Sequence, residues 1–242
     1  MEYIESLTNS RVKQWVRLHH KKDRDRTGLF LVEGEHLIQE ALKADAVETI
    51  ITDTASPFEF GHVIKVTGGI MKKISDNVSE VHLIAVCRQR QLSPDNDMKR
   101  VLILDGVQDP GNMGTLIRTA VSFSFDAVYC SEDCCDLYNE KTIRSTQGAM
   151  FHIPVVRCDL HDLVSGLQKD GFTVIATALD ASEPMEQILP EEHMAFILGN
   201  EGQGVHKELQ MQADRRLRIE MNGFESLNVA VAGGIVMYRY RI

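Results

Sequence analysis

No uncharged apolar run in these 242 residues approaches the roughly 18 needed for a membrane-spanning helix. The start, Met1-Glu2-Tyr3-Ile4-Glu5, has no basic stretch leading into an apolar core, so no secretory signal is expected. The G-x-G-x-x-G dinucleotide fingerprint is missing, and so is the Gly-Lys-Ser/Thr of a Walker loop. That removes the usual support for an oxidoreductase or a nucleoside triphosphatase. Five cysteines (87, 130, 134, 135 and 158) form no C-x-x-C pair, and their number is odd. Reduced thiols in a cytoplasmic protein without a metal are therefore expected.

Positive charge is short overall, at a net −9, but its distribution is uneven. Residues 1–100 carry 15 Lys/Arg and 15 Asp/Glu; residues 101–242 carry 11 and 20. Arg11, Lys13, Arg17, Lys21, Lys22, Arg24 and Arg26 cluster against only Asp23 and Asp25, with His19 and His20 between them. Such a stretch is a candidate phosphate-contacting surface, or else the solvated face of an amphipathic helix.

Ser93-Pro-Asp-Asn-Asp-Met-Lys99 is the best linker candidate, being rich in turn formers between two apolar patterns. Before it, strands are expected at Leu29–Val32, Val47–Thr52 and Val81–Cys87, with helices at Glu35–Lys43 and Gly69–Ser75. After it, strands are expected at Val101–Leu104, Ala127–Cys130, Ile153–Val156, Thr173–Ala178, Met194–Leu198 and Leu217–Met221. Helices are expected at 113–123, 138–145, 160–169, 205–212 and 226–240. Strands alternating with helices imply a parallel sheet covered on both faces, with ligands beyond the strands' carboxyl ends.

Three mostly apolar stretches carry isolated polar groups: Leu104–Ala120 with Asn112 and Arg118, Phe196–Val205 with Asn200 and Glu201, and Ser226–Tyr238 with Ser226 and Asn228. Buried polar groups cost free energy unless answered, so the three stretches point to one shared site. Asn228 reads as a mid-helix asparagine, a poor choice for that position. Asn112 reads as a helix cap and Arg118 as either a structural or an anion-binding guanidinium. Gly199-Asn-Glu-Gly202-Gln-Gly204 allows close backbone approach, while Glu201 disfavours an anionic phosphate there.

Leu104-Asp-Gly-Val-Gln-Asp-Pro-Gly-Asn112-Met-Gly114-Thr-Leu-Ile-Arg118-Thr-Ala120 resembles the first motif of the SpoU/TrmH methyltransferases. Phe196–Val205 resembles the second, and Ile219-Glu-Met-Asn-Gly-Phe-Glu-Ser226-Leu-Asn228-Val229-Ala-Val-Ala232 the third. Arg144-Ser-Thr-Gln-Gly148-Ala149 is similar to a further recurring segment. Residues 1–95, with Phe30-Leu-Val-Glu33-Gly34-Glu35, look like the ribosomal-protein-like α/β substrate-binding module often fused to that domain.

The resemblance implies a SPOUT-type parallel sheet with a C-terminal deep trefoil knot over 96–242, preceded by an RNA-binding domain over 1–95. It implies a homodimer, S-adenosyl-L-methionine as donor, and transfer to a ribose 2′-hydroxyl of RNA. The family's catalytic positions fall on Asn112, Arg118, Glu201, Ser226 and Asn228. Its donor contacts fall on Thr177, Leu198, Gly199, Ile219, Met221 and Leu227, largely through backbone. RNA contacts are expected from the basic cluster and from Arg144. Ala230 stands where a serine is common and Glu220 where a proline is common, which bears on donor-pocket detail. The N-terminal module leans toward ribosomal over transfer RNA. A non-catalytic RNA-binding protein that kept the fold is the other reading, and retention of Arg118 and Asn228 speaks against it.

Overall fold

The computed structural model describes residues 2–77, 79–90, 92–222 and 226–242. In chain order the first part contains β1 (Glu2–Ile4), α1 (Ser10–Arg17), α2 (Lys21–Thr27), β2 (Leu29–Glu33), α3 (Glu35–Lys43), β3 (Val47–Thr52), β4 (Val63–Val66), α4 (Gly68–Ile74) and β5 (Leu83–Arg88). These strands form a five-stranded sheet in the order β1-β4-β3-β5-β2. β1, β4 and β3 run parallel, while β5 is antiparallel to both β3 and β2. Alternation along the strands sends Ile51, Ile64, Val66 and Ile84 to one face, under Val12 and Trp15 of α1 and Ile70 and Ile74 of α4. Phe30, Val32, Ile50 and Ala85 face the other way, under Leu37, Ile38 and Ala41 of α3.

The second part contains β6 (Arg100–Leu104), α5 (Pro110–Ser122), β7 (Ala127–Cys130), α6 (Glu140–Thr146), β8 (Val155–Arg157), α7 (Leu160–Lys169), β9 (Thr173–Thr177), β10 (Glu183–Pro184), β11 (Met194–Leu198), α8 (Lys207–Gln212), β12 (Arg215–Arg218) and α9 (Val229–Tyr240). The sheet order is β10-β12-β9-β11-β6-β7-β8, and every neighbouring pair is parallel. β6 and β11 at its centre are buried along their whole length, as strands covered on both faces must be. Leu102, Leu104, Phe196 and Leu198 pack under Leu116 and Ile117 of α5 and Val236 and Met237 of α9. Val101, Ile103 and Ile197 pack on the opposite face with Leu160 and Val164 of α7 and Leu209 of α8. β6 lies between β7, which follows it, and β11, so the turns after β6 and β11 open side by side at a topological switch point.

Two close approaches are written into the sequence as glycines. A Cβ on Gly114 of α5 would lie 2.5 Å from Ser145 Cβ and 2.7 Å from the Thr142 carbonyl oxygen, so α6 seats directly on α5. A Cβ on Gly233 of α9 would lie 2.3 Å from Leu116 Cδ2, so α9 lies tightly on α5 and β11.

The two sheets are fastened together by α6 and the turn behind it. Ile143, Met150 and Phe151 belong to the same apolar cluster as Phe30, Ile38 and Ile50. Around that contact, Arg24 pairs with Asp136 at 2.5 Å, His19 Nδ1 with Glu140 Oε1 at 2.7 Å, and His152 Nε2 with Glu40 Oε2 at 2.6 Å.

Several expectations shift. The basic stretch is two helices, broken at Leu18–His20, not one. The strand expected at Leu217–Met221 is Arg215–Arg218, because β9 and β10 give it partners only up to Arg218. The segment expected as Ile153–Val156 pairs only from Val155. The last helix begins at Val229 rather than Ser226, because Asn228 caps it. Residues 223–225 of the third motif lie outside the described residues.

Candidate active site

The turn after β6 becomes α5 through Asp109, whose carboxylate accepts the Asn112 backbone N–H at 2.9 Å. Pro110 follows at the first helical position, where its missing N–H costs nothing. Asp109 is therefore the cap, and Asn112 stands one turn inside with its side chain free to work. Asn112 Nδ2 donates to Glu201 Oε1 at 2.9 Å, and Asn228 Nδ2 donates to Asn112 Oδ1 at 3.0 Å. Asn228 Oδ1 in turn accepts the N–H groups of Ala230 and Val231 at 2.9 and 3.3 Å. The asparagine that looked misplaced in mid-helix is an N-cap that also ties the third motif to the first. One residue from each motif thus meets in a single chain of hydrogen bonds.

Lys141 Nζ reaches Asp109 Oδ2 at 2.8 Å, and that hydrogen bond holds the Asp109 carboxyl below its usual range. The glycine loop after β11 is closed on itself. Asn200 N–H and Gly204 N–H each donate to the other residue's carbonyl, at 3.0 and 2.9 Å. Asn200 Oδ1 accepts Gly202 N–H at 2.9 Å and Gln203 N–H at 3.3 Å, while its Nδ2 donates to the Gly106 carbonyl at 2.8 Å. A Cβ on Gly199 would lie 2.0 Å from Val205 N, so only glycine fits the fold-back.

Beside this loop lies a cavity of about 740 Å³. Thr177, Leu198, Gly199, Ile219, Met221 and Leu227 all line it, as do Ser226 and Glu201. The wall combines glycine backbone and apolar side chains with the polar Asp180, Lys207, Gln210, Arg216 and Arg218, and the volume suits a nucleoside-sized ligand. These features fit an adenosyl cofactor approached through main-chain groups.

Arg118 stands apart. It is exposed on α5, makes no side-chain hydrogen bond or ion pair among the described residues, and does not line the cavity. Six residues of helix carry it about 9 Å beyond Asn112 and rotate it to a different face. On α9, Tyr238 is 57 % exposed and edge-on to Phe123 of the α5 end at 5.7 Å, and Val231 is 52 % exposed.

Among the basic residues, Arg11, Lys13, Arg17, Lys21, Lys22 and Arg26 are exposed and Arg144 is half-buried. Arg11, Lys21 and Arg26 pair with Glu2, Asp25 and Asp23. Arg24 is a correction: it is 4 % exposed, donates to the carbonyls of Leu18 and His19, and pairs with Asp136. It is a fastener between the sheets, not a phosphate contact. Asp105, Asp109, Lys141 and His206 support the site without having been singled out as site residues. Only Asp109 had a visible signal, the Asp-Pro that opens a helix.

A closed polar junction beside a nucleoside-sized cavity at the switch point of a parallel sheet is the site of an α/β transferase. The SpoU rRNA methylase family pattern matches residues 99–238, and an MRM3-like substrate-binding domain matches residues 9–85. The chain belongs to the SpoU rRNA methylase family. It is 40 % identical to the 23S rRNA (guanosine(2553)-2′-O)-methyltransferase of Bacillus subtilis (strain 168), over 100 % of both chains. It is similar to an AdoMet-bound rRNA methyltransferase from Sinorhizobium meliloti, with TM-score 0.88 and 29 % identity over 98 % of this chain and 96 % of that one. A solved RNA 2′-O ribose methyltransferase matches with TM-score 0.83 and 26 % identity, covering 98 % and 97 %.

Proposed function

We propose that this protein transfers the methyl group of S-adenosyl-L-methionine to a ribose 2′-hydroxyl of ribosomal RNA. The observation that carries the reading is the junction of Asn112, Glu201 and Asn228 beside the cavity. Family membership and the full-length likeness to a 23S rRNA 2′-O-methyltransferase support it. Residues 1–95 serve as the RNA-binding module and 96–242 as the catalytic one; the family patterns at 9–85 and 99–238 fit that division.

The bound donor supplies an electrophilic sulfonium methyl. The protein's task is to align the weakly nucleophilic hydroxyl and to stabilise its developing negative charge. Thr177, Leu198, Gly199, Ile219, Met221 and Leu227 hold the donor, mainly through backbone. Asn112 and Glu201 orient the junction, and Ser226 and Asn228 help stabilise the forming alkoxide. A guanidinium is a planar cation that donates but does not accept, so the role of Arg118 is to bind the target phosphate and stabilise the forming alkoxide, not to act as a base. A 2′-hydroxyl acceptor also makes RNA the substrate rather than DNA.

Within one protomer Arg118 does not reach the junction, which supports a homodimer whose site is completed across the interface. The exposed apolar residues Val231 and Tyr238 of α9, and Ile242 after it, support the same surface. β12 lies outside β9, yet α9 returns past it to pack on α5 and β11. That return supports the knotted crossing. The described residues contain no helix long and apolar enough to span a membrane, and a cytoplasmic location is the natural setting for an RNA substrate.

Mapping 2′-O-methyl sites in total RNA with and without this gene tests the reading. Loss of a ribosomal site is expected. A lost transfer RNA site would move the substrate, and no lost site would leave an RNA-binding protein. Nucleoside mass spectrometry of digested product separates ribose from base methylation.

A further inference from the structure

Behind the cofactor cavity lies a buried carboxylate that the reaction as described does not use. Asp105 follows the last residue of β6 and is 2 % exposed. Its Oδ2 accepts the backbone N–H of His206 at 2.8 Å, and both carboxylate oxygens lie 2.9 Å from His206 Nδ1. Its own N–H donates to the Leu198 carbonyl at 2.8 Å. Asp105 therefore touches both ends of the segment 198–206, the wall of the cavity.

His206 caps α8, but its imidazole turns away from that helix to reach Asp105. Val205 and Lys207 on either side of it line the cavity, as do Gln210 and Met211. Gly199 has no room to move independently, since a Cβ there would lie 2.0 Å from Val205 N and from Gly204 C. Any shift of Val205–His206 is therefore passed directly to Gly199. An isolated buried carboxylate is costly, and two N–H donors answer it less fully than a cation does.

We propose that Asp105 and His206 are a positioning pair: the cationic imidazole clamps the loop 199–205 against the first motif and so tightens binding in the cofactor cavity. The proposal rests on the reading that this cavity takes S-adenosylmethionine.

The surroundings favour the cation. Asp105 faces His206 from the turn after β6, Asp133 from the loop after β7, and Glu208 from α8 itself, with Lys207 the adjoining positive charge. The hydrogen bond to Asp105 raises the imidazole above its ordinary value, and the charges of Asp105, Asp133 and Glu208 add to that against a smaller effect of burial. A raised histidine is charged below its folded value and loses the charge as pH rises through it.

The test is calorimetric titration of the full-length protein and of His206→Asn with S-adenosylmethionine, at about pH 6 and about pH 9, on either side of the histidine range. Asparagine keeps a donor and suits a helix N-cap, so the variant retains the local fold while losing the charge. At the lower pH the variant is expected to bind about tenfold more weakly than wild type. At the higher pH the two affinities converge, because wild type has lost the charge as well. Equal affinities at the lower pH overturn the pair, and so does a difference that persists unchanged at the higher pH. If wild type binds no S-adenosylmethionine at either pH, the cofactor reading fails first and this inference with it.

Discussion

In the C-terminal sheet all strands run parallel, and the polar residues of three separate segments converge beyond the ends of β6 and β11. In the N-terminal sheet the strands are mixed, and the polar groups turn outward to solvent or across to the other sheet. Two arginines express the contrast. Arg24 lies in the most basic stretch of the chain yet is buried, with its guanidinium spent on Asp136 and two carbonyls. Arg118 lies on a largely apolar helix yet is exposed, without a partner among the described residues. A parallel sheet gathers its functional groups at one end because every strand finishes there. A mixed sheet has no such end, so its charges serve attachment and surface contact.

Replacing Arg118 should break the comparison most. Arg118→Ala is expected to lower kcat by about 100- to 1000-fold, as removal of one charge-stabilising donor does. S-adenosylmethionine affinity should be preserved, because Arg118 does not line the cavity. Arg118→Lys with near-full activity, measured on methylated RNA, would refute the need for a planar fork.

Arg24 tests the other half. Arg24→Met leaves Asp136 unpaired at the junction of the sheets and is expected to cost about 3–5 kcal/mol in urea unfolding. A variant as stable as wild type but deficient in RNA binding would return Arg24 to the phosphate-contacting set.

Gly114→Ala comes next. Its Cβ would meet Ser145 Cβ and the Thr142 carbonyl in the α5–α6 contact, and overpacking of this kind costs about 1–3 kcal/mol. Chemical denaturation measures it, and an unchanged midpoint would mean α6 can slide.

The exposed basic residues sharpen the contrast from the surface side. Neutralising Lys13, Arg17 and Lys22 together should reduce the salt dependence of RNA binding, lowering the slope of log affinity against log salt by about 2. Stability should hardly change, since all three are exposed. An unaltered slope would remove these residues from the RNA contact.

The smallest effect concerns His19 and Glu140. Both His19 nitrogens face acceptors, Glu140 Oε1 and the Ile74 carbonyl, each at 2.7 Å, so the ring must carry two protons to satisfy them. The hydrogen bond to Glu140 raises His19 above 6.5; its stabilisation is therefore complete below that value and lost as pH rises through the folded one. Burial pushes Glu140 up, but the hydrogen bond and charge of His19 together with other favourable contacts outweigh it and leave Glu140 below 4.5. Its stabilisation is present above that value and lost as pH falls through the folded one. Between pH 4.5 and 6.5 both contributions are present. A Tm difference of about 2 °C between wild type and His19→Gln is expected there, fading by about pH 9. A difference that is the same at all pH values would assign His19 a packing role only.

The central strands were legible because burial on both faces leaves an apolar run, as in Val101–Leu104 and Met194–Leu198. The three motif segments were legible because isolated polar residues in apolar surroundings need an explanation. Other strands were not. β1, β4 and β10 are short and gain their identity from a neighbour, and β12 carries three arginines that no alternation pattern would offer as a strand. Arg24 was misread for the same reason: its partner Asp136 lies 112 residues away.

By itself, then, the sequence determined the family, through the resemblance of its three motif segments, and the parallel sheet, through residue type and local periodicity. Only the tertiary structure decided what each group does within reach of another. It made Asn228 a cap and a bridge, Arg24 a fastener, and Asp105 and His206 a pair, and it set Arg118 apart from the junction. Those roles depend on distances between residues remote in the chain, which local sequence does not encode.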